Sequence, residues 1–412
     1  MVRLKYLRHP FQTMKTAKTL LATRFALWQF AAHGKRRFRS DSRFVLQNVT
    51  EGFRSRLDKS SDDIELLERI CTAYIKTVTD LQSAPDPFGV TEKSKQLRQR
   101  SLGPVIKALL TRDIDSLRRM YSNFFRDSCS AGLLGAPYGM AKAYFGGAIK
   151  DVHRRFYLSH VLYRIDYWES QTEKNFPLSD LSGPPVGNPF GVVIDETFVK
   201  IGAEYSHYCA YRVSELFGAG AATVAEIGGG FGGMAYYLLR DKKVNVSYIG
   251  FDTPENIALT SYYLMKALPQ LKFLLYGEGK LTREAVKQNN VALMPISEIA
   301  TISAESIDIT FSSHALSHVA PETLPEYLNH IVRITRGSFL NISNRSVTKS
   351  ISDLVNERWG FLRLAGTRSS GWHSHKVSGA GVGGAAGLAA SLAFEQCYKR
   401  TTDLYDDSVV SI

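Results

Sequence analysis

The stretch that most constrains this chain is Thr223-Val224-Ala225-Glu226-Ile227-Gly228-Gly229-Gly230-Phe231-Gly232-Gly233. A β-branched and apolar run leads into it, the pattern of a buried parallel strand. Five of the six residues from Gly228 to Gly233 are glycine. Met234 through Arg240 then reads as a helix. Strand, glycine turn and helix make the first unit of a nucleotide-binding α/β domain. A side chain in that turn would hold a ligand away from the backbone, and the turn can require φ > 0. The helix start adds free N–H groups and the positive end of a dipole.

The glycines satisfy two patterns. Gly228-x-Gly230-x-x-Gly233 fits the dinucleotide fingerprint. Glu226-x-Gly228-x-Gly230-x-Gly232 fits the pattern of S-adenosylmethionine (SAM) methyltransferases. Glu226 favours SAM, because an acid at the end of the first strand can pair with the cationic amino-acid end of that ligand. The same acid sits poorly beside a pyrophosphate.

Further elements follow in alternation. Val244 through Asp252 reads as a second strand ending in an acid, with a helix after it to about Lys266. Asp252, next to Thr253, is placed to hydrogen-bond ribose hydroxyls. Val291–Pro295 reads as the third strand, which puts Ser297 where adenine would lie; Lys272–Tyr276 is an extra strand without a place. Ile307–His314 is the fourth strand and its loop, Pro321–Arg336 a helix, Ser338–Ile342 a fifth strand, and Phe394–Arg400 a late strand. This alternation predicts an open, mostly parallel, Rossmann-like sheet, with ligands beyond the strands' carboxyl ends.

Upstream, residues 46–175 read as mainly helical. Asp62-Asp63 opens a helix, Pro85–Gly89 breaks the pattern, and amphipathic segments cover Ile106–Leu110, Ile114–Phe125 and Val152–Trp168. The aromatics among them, Tyr121, Phe124, Phe125, Phe156, Tyr157, Tyr163, Tyr167 and Trp168, read as core. Leu181–Gly191 is a rigid loop between domains, and a helix is expected from about Thr197 to Leu216. Residues 367–391, rich in Gly, Ala and Ser, are expected to include a mobile loop. The organisation is thus an arm over 1–45, a helical domain over 46–190 and a Rossmann-like domain over 191–412.

Charge enters the argument at the arm. Of the formal net charge of +12, ten positive charges lie in residues 1–40, and the first acid is Asp41. Leu21, Phe25 and Trp28 recur there at helical spacing. A basic amphipathic helix with Trp and Phe suits an anionic membrane surface. A helix packed on the body, an organelle presequence and a nucleic-acid contact compete with that reading, but no nucleic-acid motif accompanies the arm. No apolar run reaches the roughly 18 residues of a transmembrane helix. Cys71, Cys129, Cys209 and Cys397 form no CxxC, which points to a reducing compartment and no structural zinc.

Taken together, the residues resemble bacterial sugar O-methyltransferases, class I SAM-dependent enzymes, over roughly residues 115–400. The resemblance rests on Ser122-Asn123-Phe124-Phe125-Arg126, on Gly187-Asn188-Pro189-Phe190-Gly191, on Glu226 through Gly233, and on Asp308 through Val319. The family tends to carry Asn where Ser312 stands and Glu-Met where His318-Val319 stand. The resemblance implies SAM as methyl donor and a sugar hydroxyl, often in cell-surface glycan synthesis, as acceptor. The cysteine pattern and the basic arm lead separately to the expectation of a cytoplasmic protein, peripheral on the inner face of the membrane.

The expected cofactor set is Glu226, Gly228, Gly229, Gly230, Phe231, Gly232, Asp252, Thr253, Ser297 and Ser312. A sugar hydroxyl needs a general base, and neutral imidazole suits the task near pH 7. His318 is the expected base, with His314 as its companion; His207, Tyr208, Asn341 and His373, with His375 nearby, are expected toward the substrate. His314 and His318 have the spacing of a zinc-binding helix pair, but Ala315 stands where a metalloprotease has Glu and no third ligand is evident. A catalytically silent methyltransferase-like subunit and a NAD-dependent dehydrogenase remain competing functions.

Overall fold

The computed structural model describes residues 25, 27–58, 63–82, 96, 101–130, 133–134, 149–218, 220–241, 245–358, 362–370, 372 and 393–400. Residues 1–24 of the arm, the turn at Pro85–Gly89, and His373 and His375 with the rest of the glycine-rich stretch beyond Trp372 lie outside the described residues.

The glycine motif follows strand β3 (Ala222–Ile227), which stands in the middle of an eight-stranded sheet. On one side lie β4 (Val246–Asp252), β6 (Val291–Pro295) and β5 (Phe273–Leu275); on the other lie β7 (Ile307–Ser313), β8 (Thr335–Asn344), β10 (Ala393–Arg400) and β9 (Leu362–Ser370). The spatial order is β5-β6-β4-β3-β7-β8-β10-β9. All pairings up to β8 are parallel, and β10 is antiparallel to both of its neighbours. The fold is the expected Rossmann-like, mostly parallel α/β sheet. The chain goes from β3 to β4 on one side and returns to β7 on the other. The strand order therefore reverses between β3 and β7, and a crevice opens beyond their carboxyl ends.

The extra strand now has a place. β5 pairs with β6, Phe273 opposite Val291, and forms one edge of the sheet. Arg69 covers that edge: its Nη2 donates to the Phe273 carbonyl at 2.8 Å, and its guanidinium meets Glu278. A three-residue strand blocked by an arginine is a poor template for edge pairing.

Successive strand residues feed two cores. Val224 and Tyr248 belong to the first, Ala225, Ile227, Ile249 and Phe251 to the second, as a period of two requires. The second core lies under an amphipathic helix, Leu324–Ile334, whose Leu324, Tyr327, Leu328, Ile331 and Val332 are buried at i, i+3, i+4, i+7 and i+8. The first core continues into the helical N-terminal region, where Tyr121, Phe124, Phe125, Phe156, Tyr157 and Trp168 are buried as expected.

The segments Ser122–Arg126 and Gly187–Gly191 clasp each other there. Asn188 Nδ2 donates to Asn123 Oδ1 at 2.7 Å, Arg126 Nε to the Asn188 carbonyl at 3.0 Å, and Phe125 N–H to the Gly187 carbonyl at 3.0 Å. A Cβ on Gly187 would meet the Phe124 ring at 2.1 Å. The clasp presents Phe125 to Phe231 of the glycine turn, with ring centroids 5.3 Å apart.

Two expectations are corrected. The helix expected from Thr197 begins only at Ala203, because Gly191–Ile194 (β1) and Thr197–Lys200 (β2) form an antiparallel hairpin. Its turn residues, Asp195 and Glu196, both have positive φ, as a tight two-residue hairpin demands, yet lack the Asn-Gly signature. The helix expected to reach Arg336 ends at Ile334, since Thr335 and its successors extend β8. Thr367–Ser370, at the start of the stretch rich in Gly, Ala and Ser, belongs to edge strand β9.

The hairpin delivers Lys200 into the first core. It is 1% exposed, and its Nζ lies between 4.7 and 5.9 Å from the ring centroids of Phe125, Phe231, Tyr236, Tyr237 and Tyr263. Nζ donates to the Tyr263 hydroxyl. Ring faces attract a cation, but lost hydration dominates, and with Arg240 nearby it pulls the Lys200 pKa down from 10.5 to about 7. Between those two values the unfolded chain holds a proton that the folded chain lacks, so this residue's contribution to stability rises with pH there. Below about 7 both states hold it, and the cost of burying the charge is complete. Lys200→Met should therefore raise stability at pH 6 by on the order of 1 kcal/mol or more, with a smaller gain at pH 9. Thermal melts of both proteins at the two pH values check this; a gain that fails to shrink with pH contradicts it.

Candidate active site

The glycine turn is built from left-handed residues: Gly228, Gly230 and Gly232 have φ of 77°, 61° and 88°. Packing asks different things of each. A Cβ on Gly228 would meet the Ala315 Cβ at 2.1 Å, so this glycine brings the turn after β3 against the turn after β7. On Gly229 it would lie 2.9 Å from Glu226 Oε2, and on Gly232 3.0 Å from both Leu264 and Thr260. Among the described residues, Gly230 alone of the three left-handed glycines has space: the nearest described atom is Leu133 Cδ2 at 3.7 Å. The sequence expectation that these glycines let a ligand approach the backbone thus narrows to Gly230. The others are fixed by neighbouring protein.

Two carboxylates flank this turn. Glu226 is 3% exposed at the end of β3, and its Oε2 accepts the Tyr248 hydroxyl at 2.5 Å. Burial, with a smaller push from Asp252, lifts its pKa to about 7. Asp252 at the end of β4 accepts from Gly230 N–H at 3.0 Å, from Thr253 N–H at 2.7 Å and from Asn256 Nδ2 at 2.9 Å. Those bonds oppose a loss of hydration that still leaves its pKa raised to about 6. Among the described residues no arginine, lysine or histidine forms an ion pair with either carboxylate. The turn is thus bordered by two acids that share no cation among the described residues, and its Gly230 N–H already binds one of them.

The loop after β7 closes the other side. His314 has φ of 59°, a left-handed conformation uncommon for a residue with a side chain. Its N–H donates to the Ile342 carbonyl at 2.7 Å, which locks the turn. The half-buried ring faces Tyr205, with centroids 6.1 Å apart, and the Tyr205 hydroxyl is 2.7 Å from Ser313 Oγ. A 3₁₀ turn, Ala315–His318, follows and carries His318 to the surface. Ser317 Oγ, between the two histidines, is buried with no hydrogen-bond partner among the described residues.

The remaining expected residues fall elsewhere. Ser312 is buried, and its hydroxyl donates to the Ile227 carbonyl at 3.2 Å, joining β7 to β3. Phe231 packs on Phe125 and Tyr263. Thr253 precedes the helix Pro254–Ala267, and Ser297 is half-buried on the turn after β6. His207 is a buried core residue: Trp168 Nε1 donates to its Nδ1 at 3.1 Å, Phe176 and Tyr237 pack around it, and burial holds its pKa near 4. Tyr208 is buried and donates to Glu395. Asn341 is buried in β8, where its Nδ2 donates to Ser343 at 2.9 Å. His373 is not described. Among the described residues no cluster of His, Cys, Asp and Glu could hold a metal ion, and no helix is long and apolar enough to cross a membrane.

Sequence reasoning missed Tyr205, Tyr248 and Trp372. Trp372 is 2% exposed, and Tyr167, Tyr205 and Tyr208 lie within about 5 Å of its ring. Nothing in the local sequence distinguishes these aromatics from other core residues.

A test of the glycine assignment follows. Gly230→Val places a branched side chain in the space the turn leaves open, at a cost of roughly 1–2 kcal/mol for the left-handed backbone. Ligand affinity should fall at least about tenfold (roughly 1.4 kcal/mol) with the cooperative melt retained. Unchanged affinity would show that the space at Gly230 is not where a ligand lies.

No family model matches this chain, and no curated protein matches it. Solved structures similar to it include the mitomycin 7-O-methyltransferase MmcR, at 14% identity and a TM-score of 0.31, over 48% of this chain and 55% of that one. The chain thus spans about half the length of that structure. A SAM-dependent methyltransferase from Aquifex aeolicus matches at 12% identity and a TM-score of 0.31, over 46% of this chain and 88% of that one. Magnesium protoporphyrin IX methyltransferase from Synechocystis PCC 6803, with bound SAM, matches at 12% identity and a TM-score of 0.33, over 59% and 97%. Likeness of this degree decides nothing about substrate or site.

Proposed function

We propose that this chain is a SAM-dependent O-methyltransferase. The observation that carries the reading is the pair of buried acids, Glu226 and Asp252, beside the glycine turn at the point where the strand order reverses. Two carboxylates with no cation between them favour a positively charged ligand and repel a pyrophosphate. SAM carries a sulfonium and an ammonium, and when bound it supplies an electrophilic methyl group. Gly230 leaves room for it, Glu226 faces its cationic end, and Asp252 takes its ribose hydroxyls. A dinucleotide would bring two phosphates to the same carboxylates.

His314 takes the role of base. The strained backbone is held by Ile342 and the ring by Tyr205, so the imidazole keeps one position beside the turn that touches Gly228. Strain that the surroundings enforce is a sign of function. His318, the base expected from sequence, stands exposed at the far end of the 3₁₀ turn, whereas His314 is half-buried beside the glycine turn. His314 would accept the proton of an acceptor hydroxyl as that oxygen takes the methyl group, the methyl–sulfur bond of SAM breaking to leave a neutral thioether. The rest of catalysis is positioning.

The acceptor class comes from the sequence resemblance: a sugar hydroxyl, in cell-surface glycan synthesis. Incubating the protein with methyl-labelled SAM and glycan precursors tests it. Label on a sugar oxygen is the expected result. SAM binding without transfer to any precursor would instead make this chain a silent methyltransferase-like subunit.

A further inference from the structure

The N-terminal helix has two unlike faces. Residues 27–37 are helical and lie along the helix Asp151–Gln171. The inward face carries Ala31 and Gly34, both buried, and Phe38 follows in the next turn; Phe30 packs on Phe156 and Phe38 on Tyr163, with centroids 5.1 and 4.9 Å apart. The approach is close enough that a Cβ on Gly34 would lie 1.9 Å from Ser159 Oγ. Arg37 also turns inward, to Asp166 at 3.9 Å. This face is an ordinary packed helix, one of the alternatives the sequence left open.

The outward face is different. Phe25 and Trp28 are 57% and 60% exposed, with rings stacked 6.4 Å apart. They are the only exposed aromatic residues among the described ones. At 100° per residue, Lys35 and Arg36 fall within about 80° of Trp28, and Arg39 follows in the turn beyond the helix. All three are exposed. No acidic residue occurs before Asp41, so within its own segment this face carries cations and aromatics alone.

We propose that this outward face, Phe25 and Trp28 with Lys35, Arg36 and Arg39, docks the protein on an anionic phospholipid bilayer. Exposed aromatic side chains favour the headgroup boundary, where their ring is in contact with acyl chain and their edge with water. Basic residues near an anionic surface add attraction that acts within a Debye length. The packed inward face gives the docking a fixed geometry, since the aromatic pair cannot turn away without unpacking Phe30 and Phe38. A soluble acidic partner would satisfy the cations but leave the stacked pair unexplained.

The test uses the full chain with vesicles of phosphatidylcholine alone and of phosphatidylcholine with phosphatidylserine. Sedimentation should show binding to the anionic vesicles, little to the neutral ones, and a loss with added salt. The double variant F25A/W28A and the triple variant K35Q/R36Q/R39Q should each weaken binding at least tenfold. All five side chains are exposed, so both variants should melt as the unaltered protein does. Failure to bind anionic vesicles at low salt overturns the proposal. So does vesicle binding that neither variant weakens, or an aromatic pair whose loss changes only self-association or nucleic-acid binding. The outcome does not depend on whether the chain transfers methyl groups.

Discussion

His314→Ala should slow methyl transfer by at least about 10²-fold, the lower range for removing a general base. SAM affinity should change little, because His314 belongs to the turn after β7 and not to the glycine turn assigned to the cofactor. Part of any effect could come from the left-handed backbone, φ of 59°. His314→Asn separates the two: Asn accepts that conformation readily but cannot take the proton, and it should be as slow as His314→Ala. His318→Ala, at an exposed position, should stay within about tenfold of the unaltered rate, a far smaller loss than a general base produces. Single-turnover transfer from labelled SAM, measured across the titration range of histidine, is the readout. A fast His314→Asn enzyme with an unchanged pH profile would remove His314 from the chemistry, and a slow His318→Ala would return the role to the residue first expected.

Glu226→Gln should weaken SAM binding by about 1.5–3 kcal/mol, the value of a hydrogen bond to a charged group, or roughly 10- to 150-fold. The pH dependence gives a second signature. Glu226 titrates near 7 and Asp252 near 6, so affinity for a cation should fall as pH drops from 8 to 5. Glu226→Gln should remove the upper part of that fall. Stability works in the opposite direction. The folded pKa of Glu226 stands above the ordinary value of 4.5, so the folded chain holds a proton that the unfolded chain has released. The contribution to stability is therefore lost as pH rises from about 4.5 to 7. At pH 8 Glu226→Gln should melt no lower than the unaltered protein while binding SAM more weakly. A variant that loses binding and stability together would make Glu226 a structural residue.

How much of this was legible beforehand depended on where the information lay. The sheet was legible because its inner strands are continuous apolar runs bounded by glycine, acid or helix: Ala222–Ile227, Val246–Asp252 and Val291–Pro295 are buried almost throughout. The hairpin Gly191–Lys200 was not, because Asp195 and Glu196 adopt left-handed conformations that their side chains do not advertise. β10 was legible as a strand but not as the antiparallel neighbour of β8, a pairing set by residues 49 to 61 positions apart.

The site divides in the same way. Glu226, Gly230, Asp252 and His314 could be picked out because motif position alone puts them at strand ends. Their partners could not: Tyr248 under Glu226, Tyr205 against His314, and the rings around Lys200 are tertiary contacts between unremarkable aromatics. His207 and Tyr208 looked reactive as residue types, yet burial places both in the core. The segments Ser122–Arg126 and Gly187–Gly191 proved to be one clasp beneath the glycine turn. Asp308 bonds the Thr223 N–H and Arg336 at the opposite ends of the strands from the crevice.

The central claim is that two uncompensated acids beside a glycine turn select a cationic nucleotide. Isothermal titration of the same protein sample with SAM and with NAD tests it most directly. Saturable binding of SAM, one per chain, with no heat from NAD at the same concentrations is the predicted result. Binding of NAD in place of SAM would contradict it.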